Sequence, residues 1–115
     1  MLNMKLPFSK AIENNGFLFL SGEVPIDAEG QIPEGIMAQT QQVFENISQT
    51  LARHGAQLAD VVSVTVYLTD KTDFVAFNEA YKAHFVEPYP VRTTVIADLV
   101  IDAKVEITVI AKLKG

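Results

Sequence analysis

The fold turns on the stretch Pro88–Leu113, "PYPVRTTVIADLVIDAKVEITVIAKL". It reads as two strands folded back on each other, rich in the β-branched residues that suit a pleated surface. Arg92 and Glu106 stand among its valines and threonines. Strand alternation puts Val91, Val95, Val105, Ile107 and Val109 on one face, and Arg92, Thr94, Ile96, Glu106, Thr108 and Ile110 on the other. The first set is apolar enough to pack under helices. The second is too apolar for a purely wet face and too polar for a closed core, a mixture that suits a subunit interface holding a small polar pocket.

Towards the N-terminus, Thr72 to Phe85 carries Phe74, Phe77, Tyr81 and Phe85 at helical spacing, which predicts a helix with these four as its apolar stripe. Before it, "DVVSVTVYLTD" (60–70) alternates as a strand, with Val62, Val64, Val66 and Leu68 on one face and Ser63, Thr65 and Tyr67 on the other. Ile36 to His54 is a second amphipathic helix with Met37, Thr40, Phe44, Ile47 and Leu51 inward, and Gly55 stands where a helix-terminating glycine belongs. The Gly/Pro-rich "PIDAEGQIPEG" (25–35) is a loop. At the N-terminal end, "PFSKAIE" and "FLFLSGEV" form a hairpin about Asn14-Asn15-Gly16. The order β-β-α-β-α-β-β defines an α+β fold, a mixed sheet with both helices on one face, and residues 1–115 read as one domain.

Composition narrows the function classes. The net charge is −5, and the nine Lys and Arg residues form no basic stripe, so a nucleic-acid backbone is a poor partner. No apolar run approaches a membrane span, and "MLNMKLPFSKAIENNG" has neither the apolar region nor the cleavage site of a secretory leader. Zero cysteines exclude disulfides, thiol nucleophiles and sulfur metal sites, which fits a cytoplasmic protein. No nucleophile elbow or phosphate-binding glycine loop occurs.

Arg92 and Glu106 leave two readings open. They form a cross-strand ion pair on an exposed face, worth ~0–1 kcal/mol; or Arg92 offers a planar fork to a ligand carboxylate while Glu106 holds or activates a water. Ser21-Gly22 follows the strand "FLFL", and a glycine there lets a ligand approach the backbone closely, although an ordinary bend explains it equally. Asn78 lies beside the aromatic stripe, where an asparagine is usually solvent-facing. His54 and His84 stand near helix C-termini, where the dipole favours a cation. His84 with Glu87 lacks a third metal ligand. The sequon at Asn46 falls inside a helix and carries no glycosylation expectation.

Five stretches together resemble the YjgF/RidA family of small imine and enamine deaminases: "FLFLSGEVPID" (17–27), "QTQQVFENI" (39–47), "GAQLADVVSVTVYLTDKTDFVAFNEAY" (55–81), "PYPVRTTV" (88–95) and "AKVEITVIA" (103–111). The resemblance implies a chorismate-mutase-like fold and a homotrimer whose sheets line a central barrel, with ligand sites between subunits. It implies hydrolysis of reactive 2-imino and enamine acids, such as 2-iminobutyrate and 2-aminoacrylate, to 2-keto acids and ammonia, without a cofactor or metal. Arg92 falls on the family's carboxylate-binding arginine and Glu106 on its water-positioning glutamate. Thr94 takes a position often held by cysteine, and Ser21, Gly22 and Asn78 match further pocket positions. Phe8 stands where the best-known members carry a pocket tyrosine. Glu23 replaces the glutamine of "SGQ". The connection between Arg92 and Glu106 is about one residue shorter than usual and lacks its proline. A carboxylate-binding trimer with little turnover, a holdase-like interaction protein and an RNA-directed activity are the rival expectations.

Overall fold

The computed structural model describes residues 6–114; the first five residues of the stretch read for a leader lie outside them. Two short strands open the fold, β1 (Ala11–Asn14) and β2 (Phe17–Leu20), joined by a turn in which Asn15 and Gly16 have φ of 54° and 81°. Two successive left-handed residues give the type I′ hairpin geometry, which Asn-Gly adopts most readily.

Helix α1 (Ile36–Arg53) buries Ile36, Val43, Phe44, Ile47 and Leu51, together with Gln39, Thr40 and Thr50. Met37 is not on the inward stripe: it is 51% exposed, and Ile36 beside it takes the buried place. The helix ends at His54 and Gly55, where Gly55 has φ +75°. Gly55 N–H donates to Ala52 C=O and Ala56 N–H to Leu51 C=O, the paired bonds of a Schellman ending.

Strand β3 (Val61–Leu68) starts with a bulge, because Val61 pairs with Ala111 while Ser63 pairs with the adjacent Ile110. The extra residue reverses simple alternation at this end. Val61 is buried in the core and Val62 is exposed, opposite to their expected faces. The second helix is shorter than the stripe predicts. A 3-10 turn at Lys71–Asp73, capped by Asp70 accepting from Thr72 N–H at 2.9 Å, leads into α2 (Phe74–Lys82). Phe77, Tyr81 and Phe85 are buried, whereas Phe74 stays at the margin.

Both halves of Pro88–Leu113 form strands, β4 (Val91–Ile96) and β5 (Val105–Lys112), but they are not paired with each other. The sheet order is β1-β2-β5-β3-β4, with β4 parallel to β3 and β5 antiparallel to it. The expected hairpin fails because β3, whose Val64, Val66 and Leu68 are fully buried, takes the central place between them. Residues 97–104 carry the chain across the end of β3, a step of about 10 Å. Ala97 N–H donates to Leu68 C=O and Thr69 N–H to Lys104 C=O, pinning that crossing.

The core lies between one sheet face and the two helices, with Leu18, Leu20, Val64, Val66, Val105, Ile107 and Val109 meeting Val43, Phe44, Ile47, Leu51, Phe77 and Tyr81. The other sheet face is uncovered in the chain. It carries Ile12, Phe19, Thr65, Tyr67, Val91, Thr93, Val95, Thr108 and Ile110, and Val91 is 71% exposed. Ile96, in register with buried Leu68, lies instead towards the helix side at the sheet edge.

Candidate functional site

Arg92 and Glu106 do not share a face. Arg92 is the register partner of buried Val64, and Glu106 is the partner of half-buried Tyr67, so the two side chains leave opposite sides of the sheet. Alternation holds within each strand, but the irregular 97–104 segment does not transmit it from one strand to the next. β3 also lies between them, putting the strands about 10 Å apart and the residues about 10 Å further along the strand direction. No ion pair joins Arg92 to a carboxylate among the described residues. The exposed cross-strand pair is therefore excluded.

Arg92 instead lies against α2. Its Nη1 donates to Asn78 Oδ1 at 2.9 Å. Its Cζ stands 4.6 Å from the Tyr81 ring centre, 5.6 Å from that of Phe77 and 5.8 Å from that of Phe74. Asn78 thus has a partner and is not merely solvent-facing. With Nη1 engaged, the Nε–Nη2 edge remains to offer two parallel N–H donors. Clefts open on both sides of the guanidinium. One, of about 350 Å³, is lined by Asn78, Tyr81, Lys82, Tyr89 and Pro90; the other, of about 430 Å³, by Lys71, Phe74, Thr94 and Ile96. The hydroxyls of Tyr81 and Thr94 are buried without a hydrogen-bond partner among the described residues. Burial pushes the Tyr81 phenol pKa up, and the neighbouring Arg92 charge partly opposes it.

Glu106 belongs to a second cluster, with Gly22 and Thr108. A Cβ at Gly22 would collide with the Glu106 carboxylate and lie 3.2 Å from Thr108 Oγ1. Glycine here lets the segment after β2 lie directly against the Glu106 carboxylate in this position. Burial raises the Glu106 pKa above the ordinary glutamate value, and the charge of Glu23 adds to the shift. Ser21 works locally: its Oγ donates to Ser9 C=O at 2.6 Å and its N–H to Lys10 C=O at 3.0 Å, tying down the segment that carries Phe8. Phe8 itself is 55% exposed.

The structure thus assembles two separate clusters, Arg92–Asn78–Thr94 with Tyr81 on one side of the sheet and Gly22–Glu106–Thr108 on the other. Tyr81 escapes the sequence reading because its helical spacing also serves the core; its position three residues after Asn78 is the signal that links it to Arg92. Glu23, which replaces the glutamine of "SGQ", is only 5% exposed and reaches the α1 side, where Lys10 Nζ meets its Oε2 at 2.8 Å. Thr50 Oγ1 donates to the same oxygen at 3.5 Å.

Neither histidine joins the clusters. His54 Nδ1 meets Thr50 C=O at 3.0 Å, and His84 stacks on Phe44 at 4.4 Å, with burial lowering its pKa against the opposing charge of Glu45. Asn46 donates to Val24 and Ile26 C=O, which explains its place in the helix. Among the described residues no group of three or more His, Asp or Glu is placed to hold a metal, and no helix is long and apolar enough to cross a membrane.

Residues 2–113 match the family model described as endoribonuclease L-PSP. A RutC family protein of Pyrococcus abyssi is 45% identical over 108 residues, covering 91% of this chain and 85% of its own. Reactive Intermediate Deaminase A of Arabidopsis thaliana, a chloroplastic protein, is 40% identical over 110 residues, covering 93% of this chain and 59% of its own. Among solved structures, Escherichia coli TdcF with bound serine superposes with a TM-score of 0.90 at 31% identity, over 96% of this chain and 91% of that one.

Proposed function

The chain belongs to the endoribonuclease L-PSP family, the family of the YjgF and RidA proteins, and from that premise we propose that it hydrolyses reactive 2-imino and enamine acids, of the 2-iminobutyrate and 2-aminoacrylate type, to 2-keto acids and ammonia. The family includes reactive intermediate deaminases, which supports deamination as the general activity. The observation that carries the proposal is Arg92: a guanidinium held by Asn78 and three aromatic rings, with an edge left for a carboxylate. TdcF with bound serine offers a parallel, a small carboxylate ligand on the same fold.

Arg92 grips the substrate carboxylate through two charge-assisted bonds. Glu106, ionised, takes a proton from water as its oxygen attacks the imine carbon. Glu106 returns that proton to the nitrogen to give the neutral carbinolamine, then carries the carbinolamine's hydroxyl proton to the same nitrogen as the C–N bond breaks, leaving the carbonyl and ammonia. Such imines already hydrolyse in water, so positioning and modest proton transfer suffice. No cofactor or metal enters this reading.

The opposite-face placement of Arg92 and Glu106 means that one chain does not bring both to a small substrate. A head-to-tail contact between copies sets the Arg92 cluster of one against the Glu106 cluster of the next, and such contacts close into rings. In this reading the protein is a homotrimer with its sites between subunits, acting in the cytoplasm. Gly22, Asn78 and Thr94 line the site, Ser21 and Phe8 lie at its margin, and Phe8 contributes no hydroxyl. The rival of a carboxylate sensor draws on Phe8 and on Glu23, whose carboxylate is paired with Lys10 at 2.8 Å but whose charge still raises the Glu106 pKa. The RNA-directed reading, which the family model's description carries, is disfavoured by the net charge of −5.

The test follows ammonia and 2-keto-acid release from imines generated in situ by an amino-acid oxidase, with 2-ketobutyrate titrated by calorimetry. Acceleration over spontaneous hydrolysis is expected for the native protein. Arg92→Lys keeps the charge but not the fork, and losing one charge-assisted bond of about 1.5–3 kcal/mol weakens 2-ketobutyrate binding about 10- to 150-fold. No acceleration by the native protein would overturn the proposal; equal affinities in the two proteins would make Arg92 structural.

A further inference from the structure

We propose that Tyr81 is a positioning residue that fixes the plane of the Arg92 guanidinium and so presets the edge that receives the substrate carboxylate. The inference rests on the reading of Arg92 as the carboxylate fork. It starts from an arrangement along α2: Phe74, Phe77, Asn78 and Tyr81 fall at i, i+3, i+4 and i+7, the residues of one helical face. All four meet the same guanidinium.

Their contributions differ. Asn78 fixes one nitrogen of the guanidinium but leaves rotation about that bond open. The aromatic faces restrict the plane, since a guanidinium stacks on the negative face of a ring. Tyr81 is the nearest of the three, at 4.6 Å, and is itself only 6% exposed. Its ring is held in turn by Phe77, Phe44 and Phe85, at centroid distances of 5.5, 5.7 and 5.0 Å. Phe74 is further away and 40% exposed, so it holds the cation less firmly. A fork held in its plane before the ligand arrives loses less freedom on binding, which is where the affinity gain arises.

The chain has two arginines, Arg53 and Arg92, so arginine-labelled NMR resolves the side chain directly. The Arg92 Nε–H signal, assigned by its loss in Arg92→Lys, is expected to show a ring-current shift and slowed side-chain motion. Tyr81→Leu should abolish both and weaken 2-ketobutyrate binding about tenfold; Tyr81→Phe, which keeps the ring, should retain most of each. Phe85→Leu serves as the matched core truncation, removing a ring that touches Tyr81, and should leave the Arg92 signal in place. If Tyr81→Leu does not fold, Tyr81→Met preserves core volume without the aromatic face and is read in the same way. An Arg92 signal and affinity unchanged in the folded Tyr81 variant would overturn the inference, as would equal losses in Phe85→Leu. Failure of the native protein to bind 2-ketobutyrate, with the Arg92 signal still dependent on the Tyr81 ring, would reject the functional reading and leave the positioning role standing.

Discussion

Glu106 shows how one side chain acquires its chemistry from its surroundings. Desolvation beside Gly22 raises its proton affinity first, and Glu23 adds to it from the segment after β2. A carboxylate that accepts a proton from water must be ionised, so turnover should rise with pH through a midpoint above the ordinary glutamate value. Glu23→Gln removes the second cause and should move that acidic limb to lower pH, as a pH–rate profile of imine hydrolysis would show. Glu106→Gln should lower turnover about 100-fold or more while 2-ketobutyrate still binds, because Arg92 is intact. The stability linkage follows from the same shift. With the folded-state pKa raised, the unfolded chain releases this proton first as pH rises. The stabilising contribution is complete below the unfolded value and is lost as pH passes through the folded one. An acidic limb unmoved by Glu23→Gln would show that burial alone sets the shift.

The elements divide into those that hold the site and those that hold only the fold. Helix α2 does both, placing Asn78 and Tyr81 against Arg92 while Phe77 and Tyr81 enter the core. The end of α1 is purely structural. Gly55 has φ +75° and nothing within 4 Å of where a Cβ would stand, so Gly55→Ala pays only the left-handed backbone cost. That cost is about 1–2 kcal/mol. Urea unfolding should register it, with 2-ketobutyrate affinity unchanged; a loss of affinity would mean that this helix end communicates with the site. The Asn15–Gly16 turn and the Gly55 ending are legible in the sequence because each rests on local backbone sterics. The bulge at Val61–Ser63 is not, since it depends on the register β3 adopts against β5.

In the whole molecule, the uncovered sheet face is the feature a lone chain leaves unresolved. Val91, Val95, Phe19 and Ile12 are exposed there beside half-buried Thr65, Tyr67 and Ile110. A trimer that buries this face should sediment at about three times the 12.6 kDa chain mass at micromolar concentration. Val95→Asp, placing a charge in that face, should shift the protein towards smaller species and, if each site draws on two copies as proposed, lower turnover. A native protein that stays at 12.6 kDa would remove the intersubunit site from the proposal.

The sequence by itself determined the order of elements, the apolar stripes of both helices in outline and the inward set of β5. These depend on periodicity and backbone preference, which act over a few residues. The tertiary structure alone decided that β3 separates β4 from β5 and that Arg92 and Glu106 leave opposite faces. It also decided that Tyr81 serves the guanidinium as well as the core. Those outcomes depend on which strand is buried deepest and on how an irregular loop crosses its end. Alternation carries no information through a loop, so the relation between two strands is set by packing.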